Sequence, residues 1–160
     1  MEMIQLNNVT GIYNIKDKLE YLEEVAVLTQ KEWGKYSSLE EFNKKLEKKK
    51  QKIISLLDNP SYCKLILLDN AQLIGFISIF PTDGDDRKDL TPWYATMYVK
   101  EEFRGRGYSK ILNRAILQEA RNRGFNKIYL KTTLVNYYEK FGAKYIEDLD
   151  CGEKLYYIDL

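Results

Sequence analysis

The sequence predicts an α+β fold: one twisted, mixed β-sheet of about six to seven strands with helices on both faces. Two observations support this prediction. Apolar residues recur at helical spacing before Pro60, whereas apolar and aromatic runs bounded by turn residues follow it. Between residues 93 and 133, a strand, a glycine-bearing loop, a helix and a second strand occur in that order, which indicates a parallel pair joined by a right-handed crossover.

The part of the chain before Pro60 predicts one short strand and two helices. The strand lies within residues 3–14 and is weakly defined. Asp17, with Glu three residues later, indicates the start of the first helix, which Gly34 ends. The segment Ser37–Glu40 is a second capping box, and apolar residues follow it at nearly whole helical turns.

The remainder of the chain predicts a hairpin and then the crossover unit. The hairpin strands, Tyr62–Leu68 and Leu73–Phe80, are joined by a connection of about four residues that contains Asp69 and Asn70. The crossover helix ends at Gly124, where a left-handed cap is favoured. The other predicted elements are strands at 93–99, 127–133, 143–149 and 153–160 and a short helix at 135–141.

Length and composition favour one soluble domain over residues 1–160. The net charge is +1, from 25 basic and 24 acidic residues, so the chain as a whole does not resemble a nucleic-acid-binding protein. The sequence has no secretory signal pattern and no apolar run long enough for a membrane span. We therefore expect a cytoplasmic protein without membrane partners, in which Cys63 and Cys151 are reduced.

The chain contains no histidine, and this excludes several kinds of chemistry. A Ser-His-Asp triad, a Cys-His pair and a histidine metal site are impossible. The 2 cysteines are too few for a cysteine zinc site, so we expect no metal. Any general acid or base must be a carboxylate, Lys, Tyr, Cys, a terminus or water.

One loop combines glycines with basic residues immediately before the crossover helix. Glycine lets the backbone bring its N–H groups close to a ligand, and the helix start adds unpaired N–H groups and a positive dipole end. Phosphates bind at such helix starts, so the loop predicts a phosphate or pyrophosphate site. The alternative is a glycine turn that simply begins a helix. The loop consists of Arg104, Gly105, Arg106, Gly107, Tyr108 and Ser109.

The loop resembles the acetyl-CoA-binding motif of the GNAT superfamily of N-acetyltransferases, [RQ]-x-x-G-x-[GA]. Arg104 and Gly107 match it, and Ser109 replaces the usual small Gly or Ala. The segments Asp89–Trp93 and Tyr137–Gly142 also resemble this superfamily, as does the order of the elements. The resemblance covers most of the chain and is strongest over residues 89–143.

The resemblance implies a binding site for acetyl-CoA between two parallel strands that splay apart, here about 93–100 and 127–133. Val99 and Thr132 on these strands are then expected at the pantetheine arm. The backbone amides of the loop 104–109 are expected to hold the pyrophosphate. The Met97 amide would stabilise the oxyanion that forms at the thioester carbonyl.

The resemblance also implies a general acid and leaves the general base open. Tyr138 matches a tyrosine that protonates the leaving thiolate in many relatives, although it could instead only pack. Asp89 begins the strand near the expected acceptor side and is our first choice of base. The other candidates are Glu32, Asp83, Asp85, Asp86 and Glu101.

The sequence therefore predicts an enzyme that transfers an acetyl group from acetyl-CoA to a primary amine by direct attack in a ternary complex. We expect the acceptor to be a small molecule. Acetylation of a protein N-terminus and a non-catalytic acyl-CoA sensor remain alternatives, and a homodimer stays open. The lysine run 44–52 is interpreted as the solvent-exposed face of an amphipathic helix rather than as a nucleic-acid-binding site.

Overall fold

The computed structural model describes residues 2–5 and 10–160, with backbone only for 2–5. Residues 1 and 6–9 lie outside the described residues, and 6–9 belong to the segment 3–14 that was expected to hold one short strand. Eight described strands form one sheet in the order β1-β2-β3-β4-β5-β6-β8-β7. They are β1 (Glu2–Gln5), β2 (Thr10–Asn14), β3 (Cys63–Asp69), β4 (Gln72–Phe80), β5 (Trp93–Val99), β6 (Lys127–Thr132), β7 (Lys144–Asp148) and β8 (Lys154–Asp159).

Three α-helices cover the two faces of this sheet and confirm the predicted fold class. Helix α3 buries Leu112, Ile116 and Ala120 in one apolar core, whereas α1 and α2 contribute Val25 and Ile53 to the core on the other face. Burial of these side chains on both faces is the main favourable term in holding the layers together. The helices are α1 (Leu22–Trp33), α2 (Leu39–Leu56) and α3 (Tyr108–Asn122).

The starts of α1 and α2 differ from the sequence prediction. Asp17 does not cap α1: it ends a 3-10 turn, a second 3-10 turn follows, and α1 begins at Leu22 with no side-chain cap. The capping box of α2 is shifted by one residue. Ser38 caps the helix by accepting a hydrogen bond from the Glu41 amide, and Glu41 accepts from the Ser37 amide and hydroxyl. Adjacent serines made the box ambiguous in the sequence.

The first half of the sheet is a series of antiparallel neighbours. The β3–β4 hairpin turns through two residues, Asn70 and Ala71, both with positive φ, rather than through about four. The segment expected to contain one strand contributes two, β1 and β2, so the sheet has more strands than the predicted six to seven. Helix α3 ends as predicted, at Gly124 with a φ of +87°.

The only parallel pair among the described strands is β5 with β6, and it is held at a single point. Trp93 pairs with Tyr129, whose amide donates to the Pro92 carbonyl over 3.0 Å. Beyond this bridge the two strands pair no further, so their carboxyl ends diverge towards Val99 and Thr132. This divergence confirms the expected splayed pair and opens the centre of the sheet.

A β-bulge interrupts β5 just where the strands diverge. Ser78 pairs with Ala95 and Phe76 with Tyr98, so Ile77 of β4 faces both Thr96 and Met97. Thr96 has a φ of +55°, which is rare for a β-branched residue and indicates local backbone strain. Because the bulge adds one residue, Tyr94 and Met97 pack against the same core, although they are three positions apart.

No helix among residues 2–5 and 10–160 is long and apolar enough to cross a membrane. Both cysteines, Cys63 and Cys151, are free thiols.

We predict that Gly75→Ala destabilises the centre of the sheet. A Cβ at Gly75 would lie 2.4 Å from the Tyr98 carbonyl oxygen and 3.1 Å from the Val99 Cα, so β5 would have to move away from β4. Such overpacking costs about 1–3 kcal/mol. Urea unfolding of parent and variant measures the effect, and an unchanged midpoint would contradict it.

Candidate active site

A cavity of about 310 Å³ lies at the N-terminal end of α3. Gly107 is the N-cap, with a φ of +83°, no side chain caps the helix, and its first turn has no acidic residue. Gly105 and Gly107 both have open space where a Cβ would lie, so the backbone can be approached closely. We call this cavity the loop cavity. It is lined by five of the six predicted loop residues, namely Arg104, Gly105, Gly107, Tyr108 and Ser109.

The two arginines of the loop have different roles in its structure. Arg104 donates from Nε to the Val99 carbonyl over 2.8 Å, and its guanidinium lies 5.5 Å from the centre of the Tyr98 ring. This contact ties the loop to the end of β5 and engages the Val99 carbonyl. Arg106 lies over the Phe103 ring and is not among the residues that line the loop cavity. Its charge still adds to the positive potential of the helix start.

A second cavity, of about 410 Å³, occupies the gap between β5 and β6, and we call it the strand cavity. Met97 lines both the loop cavity and the strand cavity, so the two adjoin at this residue. Tyr138 and Thr132 also line the strand cavity. The Thr132 hydroxyl accepts a hydrogen bond from the Leu134 amide, which shapes the turn after β6. The structure thus brings Met97, Tyr138 and Thr132 together.

Tyr138 begins a short 3-10 helix, Tyr138–Phe141, where the sequence predicted a slightly longer helix. Its half-buried ring packs edge-to-face on Tyr94, at 5.7 Å between centroids, and on Tyr137, at 4.8 Å. Burial, with a smaller contribution from Tyr137, raises the pKa of Tyr138 above its usual range. The phenol is therefore protonated at neutral pH, as a proton donor must be.

Asp89 lies apart from these residues. It does not line the loop cavity or the strand cavity, and 62% of its side chain is exposed. Arg87 donates to both carboxylate oxygens of Asp89, at 3.0 and 2.9 Å, and this pairing lowers the pKa of Asp89. A paired, acidic carboxylate is a poor proton acceptor, so the structure does not support the choice of Asp89 as base.

Asp83 is the sequence candidate that the structure places best. It lines the strand cavity, and burial raises its pKa despite the opposing charges of Lys131 and Lys52. A raised pKa moves a carboxylate towards the range of a general base at neutral pH. Glu32 lines the loop cavity instead, and Glu153, which was not considered from the sequence, lines the strand cavity.

The sequence interpretation also missed a buried lysine next to this centre. Lys64 is 2% exposed, and its Nζ donates to the Ser78 hydroxyl over 2.5 Å and to the Thr96 hydroxyl over 3.4 Å. Burial lowers the pKa of Lys64 to about 7, and the nearby charge of Lys49 acts in the same direction. The sequence feature that could have indicated this buried lysine is a single lysine within the apolar run of β3.

The comparison with protein families identifies the family to which a chain with these cavities belongs. Residues 20–143 match the model of the acetyltransferase (GNAT) family, which covers more than half of the chain. The chain belongs to this family. Membership confirms the resemblance seen in the sequence and the assignment of the chain as an acyltransferase. In this GNAT protein the loop cavity coincides with the motif that suggested the family, at Arg104, Gly107 and Ser109.

Solved structures share the fold of this GNAT chain at low sequence identity. The PaiA N-acetyltransferase from Thermoplasma acidophilum, in complex with coenzyme A, is 21% identical with a TM-score of 0.66, covering 94% of this chain and 99% of its own. An acetyltransferase from Streptococcus agalactiae 2603 is 18% identical with a TM-score of 0.68, covering 96% and 100%. An aminoglycoside 6'-N-acetyltransferase complexed with coenzyme A is 16% identical with a TM-score of 0.67, covering 92% and 96%. No curated protein matches the sequence.

The depressed pKa of Lys64 predicts how this residue affects stability at different pH values. The unfolded lysine titrates near its ordinary pKa of 10.5 and the folded one at about 7, so between these values the unfolded chain binds more protons. Stability therefore rises with pH across this window, and the cost of the buried ammonium is largest below it.

We expect Lys64→Met to raise the free energy of unfolding at about pH 6 by on the order of 3 kcal/mol, and by much less at about pH 10. Denaturant unfolding at both pH values measures this difference. Lys48→Met, at an exposed position of α2, is the control and should show no such pH dependence. An equal effect of Lys64→Met at both pH values would show that the ammonium carries no burial cost.

Proposed function

We propose that the protein transfers an acetyl group from acetyl-CoA to the primary amine of a small molecule, by direct attack in a ternary complex. The observation that carries this proposal is the meeting of the loop cavity and the strand cavity at Met97. A helix start suited to phosphates thus adjoins a gap that is lined by the half-buried Tyr138. Two structural neighbours were solved in complex with coenzyme A, which supports coenzyme binding by this chain.

The loop 104–109 suits the pyrophosphate of the coenzyme for reasons of charge and access. The first amides of α3, at Tyr108 and Ser109, have no intrahelical partners and lie at the positive end of the helix dipole. The open space at Gly105 and Gly107 lets phosphate oxygens reach these amides. The pantetheine arm would then run along the free edge of β5, past Val99 towards Met97, with Thr132 on the opposite strand.

The residues around the strand cavity divide the chemistry between them. The acceptor nitrogen attacks the thioester carbonyl carbon, and a C–N bond replaces the C–S bond. The Met97 amide donates a hydrogen bond to the carbonyl oxygen while its negative charge develops. Tyr138 gives its proton to the leaving thiolate and is later reprotonated by solvent.

The proton lost by the amine needs an acceptor, and we assign this role to Asp83, acting directly or through a water molecule. Asp83 is the half-buried carboxylate at the strand cavity whose pKa is raised. Asp89 is left out of the proposal because Arg87 holds it in an exposed ion pair.

Gly107→Asp tests the coenzyme site. The new carboxylate would point into open space at the helix start and repel the phosphates, so we expect coenzyme A affinity to fall by on the order of 100-fold or more. Isothermal titration calorimetry with coenzyme A measures this loss.

Gly124→Asp is the matched control for Gly107→Asp. Gly124 has a similar φ, +87° against +83°, and similar open space, but it lies at the other end of α3. Both variants therefore carry a strained backbone and a new negative charge, and only Gly107→Asp should lose coenzyme binding. Parent-like binding of coenzyme A by Gly107→Asp would refute the proposed site.

Tyr138→Phe tests the general acid. The ring packing on Tyr94 and Tyr137 is kept and only the hydroxyl is lost. We therefore expect kcat to fall by on the order of 100-fold with coenzyme affinity nearly unchanged. Thiol release from acetyl-CoA in the presence of amines gives kcat. Tyr145→Phe, on β7 and bonded to Asp148, is the control and should match the parent. If the kcat of Tyr138→Phe also equals that of the parent, a group other than Tyr138 is the general acid.

A further inference from the structure

A third cavity, of about 240 Å³, lies between the sheet and helices α1 and α2. Three lysines line it: Lys49 and Lys52 from α2 and Lys64 from β3. We call it the lysine cavity. Asp83 is its one acidic lining residue, and the apolar part of its wall includes Ile53, Leu56 and Phe80. The cavity therefore presents three lysine side chains against one carboxylate.

None of these lysines has an ion-pair partner in the part of the chain that the structure describes. The salt bridges of α2 use its other lysines, Lys45 and Lys50. Lys64 is nearly fully buried; its Nζ donates to the Ser78 and Thr96 hydroxyls and lies 5.0 and 5.7 Å from the centres of the Phe76 and Phe80 rings. An ammonium has three N–H donors, and only two of these have an oxygen acceptor among the described residues, so an anion in the cavity that Lys64 lines would supply the third.

The lysine cavity adjoins the strand cavity. Asp83, Ala95 and Thr96 line both, and the strand cavity in turn reaches Met97. A small molecule at the proposed reaction centre would therefore have the lysine cavity next to it. The charged residues of the strand cavity are Asp83, Glu153 and Lys131, which pairs with Asp86, whereas the lysine cavity has three lysines and Asp83.

We propose that the acceptor is a primary amine that also carries an anionic group, either a carboxylate or a phosphate. The inference rests on the proposed acetyl transfer and names its substrate class. The anionic group binds Lys64, Lys49 and Lys52 in the lysine cavity, while the amine lies in the strand cavity near Asp83 and Met97. A bound anion supplies the counter-charge that these lysines lack, and the apolar wall excludes water and strengthens the interaction.

This arrangement also discriminates between amines. A second cationic group in the lysine cavity would meet three like charges, so polyamines are disfavoured. An uncharged alkyl group would leave the buried ammonium of Lys64 without a counter-charge. The acidic residues Asp85 and Asp89 do not favour a cationic acceptor, because they pair with Lys88 and Arg87 of the same segment.

The test compares four amines of similar length: butylamine, putrescine, gamma-aminobutyrate and aminopropylphosphonate. We expect kcat/KM for one of the two anionic amines to exceed that for butylamine by on the order of tenfold or more, mainly through KM. Preference for gamma-aminobutyrate identifies a carboxylate, and preference for the phosphonate identifies a phosphate. Equal or higher kcat/KM for butylamine or putrescine would overturn the inference.

Lys64→Met removes the buried charge and should abolish the preference for the anionic amine. Lys48→Gln is the matched control, because it removes a charge from an exposed position on α2 that does not line the lysine cavity, and it should keep the preference. Preference retained in Lys64→Met would contradict the assignment. Thermal unfolding of each variant shows whether it is folded.

A binding measurement covers the case in which none of the four amines is acetylated. Glutarate and inorganic phosphate are titrated by calorimetry into the protein saturated with coenzyme A. We expect one of them to bind the parent and Lys48→Gln but not Lys64→Met, and absence of heat with both probes would overturn the inference. Coenzyme A titrated alone separates the two proposals, since its failure to bind the parent would instead overturn the proposed function.

Discussion

The site depends on one constraint, the single bridge between β5 and β6. Trp93 and Tyr129 hold the two strands together at their start, and nothing pairs them beyond it. The remaining backbone edge of β5 is therefore open to a ligand at the centre of the sheet rather than to a neighbouring strand. The loop cavity lies at one end of this opening, and the strand cavity fills it. A fully paired sheet would leave no room for the strand cavity.

The three cavities form a series, and their chemistry changes along it. The loop cavity combines free helix amides with Arg104, the strand cavity contains the phenol of Tyr138, and the lysine cavity contains a buried ammonium. The two ends are therefore suited to negative groups, while Asp83 lies between them. The proposed coenzyme and the proposed anionic acceptor would reach the strand cavity from these two ends.

Sequence patterns predicted the structure correctly where it is determined by residues close together in the chain. The glycine spacing at 105 and 107, the helix start after it and the left-handed cap at Gly124 all depend on neighbouring residues, and all three match the structure. The start of α1 was misplaced because the 3-10 turns compete with a capped helix over the same few residues. Asp89 and Lys64 could not be judged from sequence, because Glu147 of β7 also pairs with the Arg87 that holds Asp89, and because Lys64 lies among three strands and α2.

The extra residue in β5 decides which side chains face which helices. Side chains of a strand alternate between the two faces, and an inserted residue reverses the alternation from that point onwards. Tyr94 and Met97 therefore share the α3 side, and Tyr98 packs with Phe76 on the opposite side. If β5 kept all of its residues but paired regularly with β4, the environments of Met97 and Tyr98 would be exchanged. The bulge therefore matters as much to the surroundings of these two side chains as their own identity does.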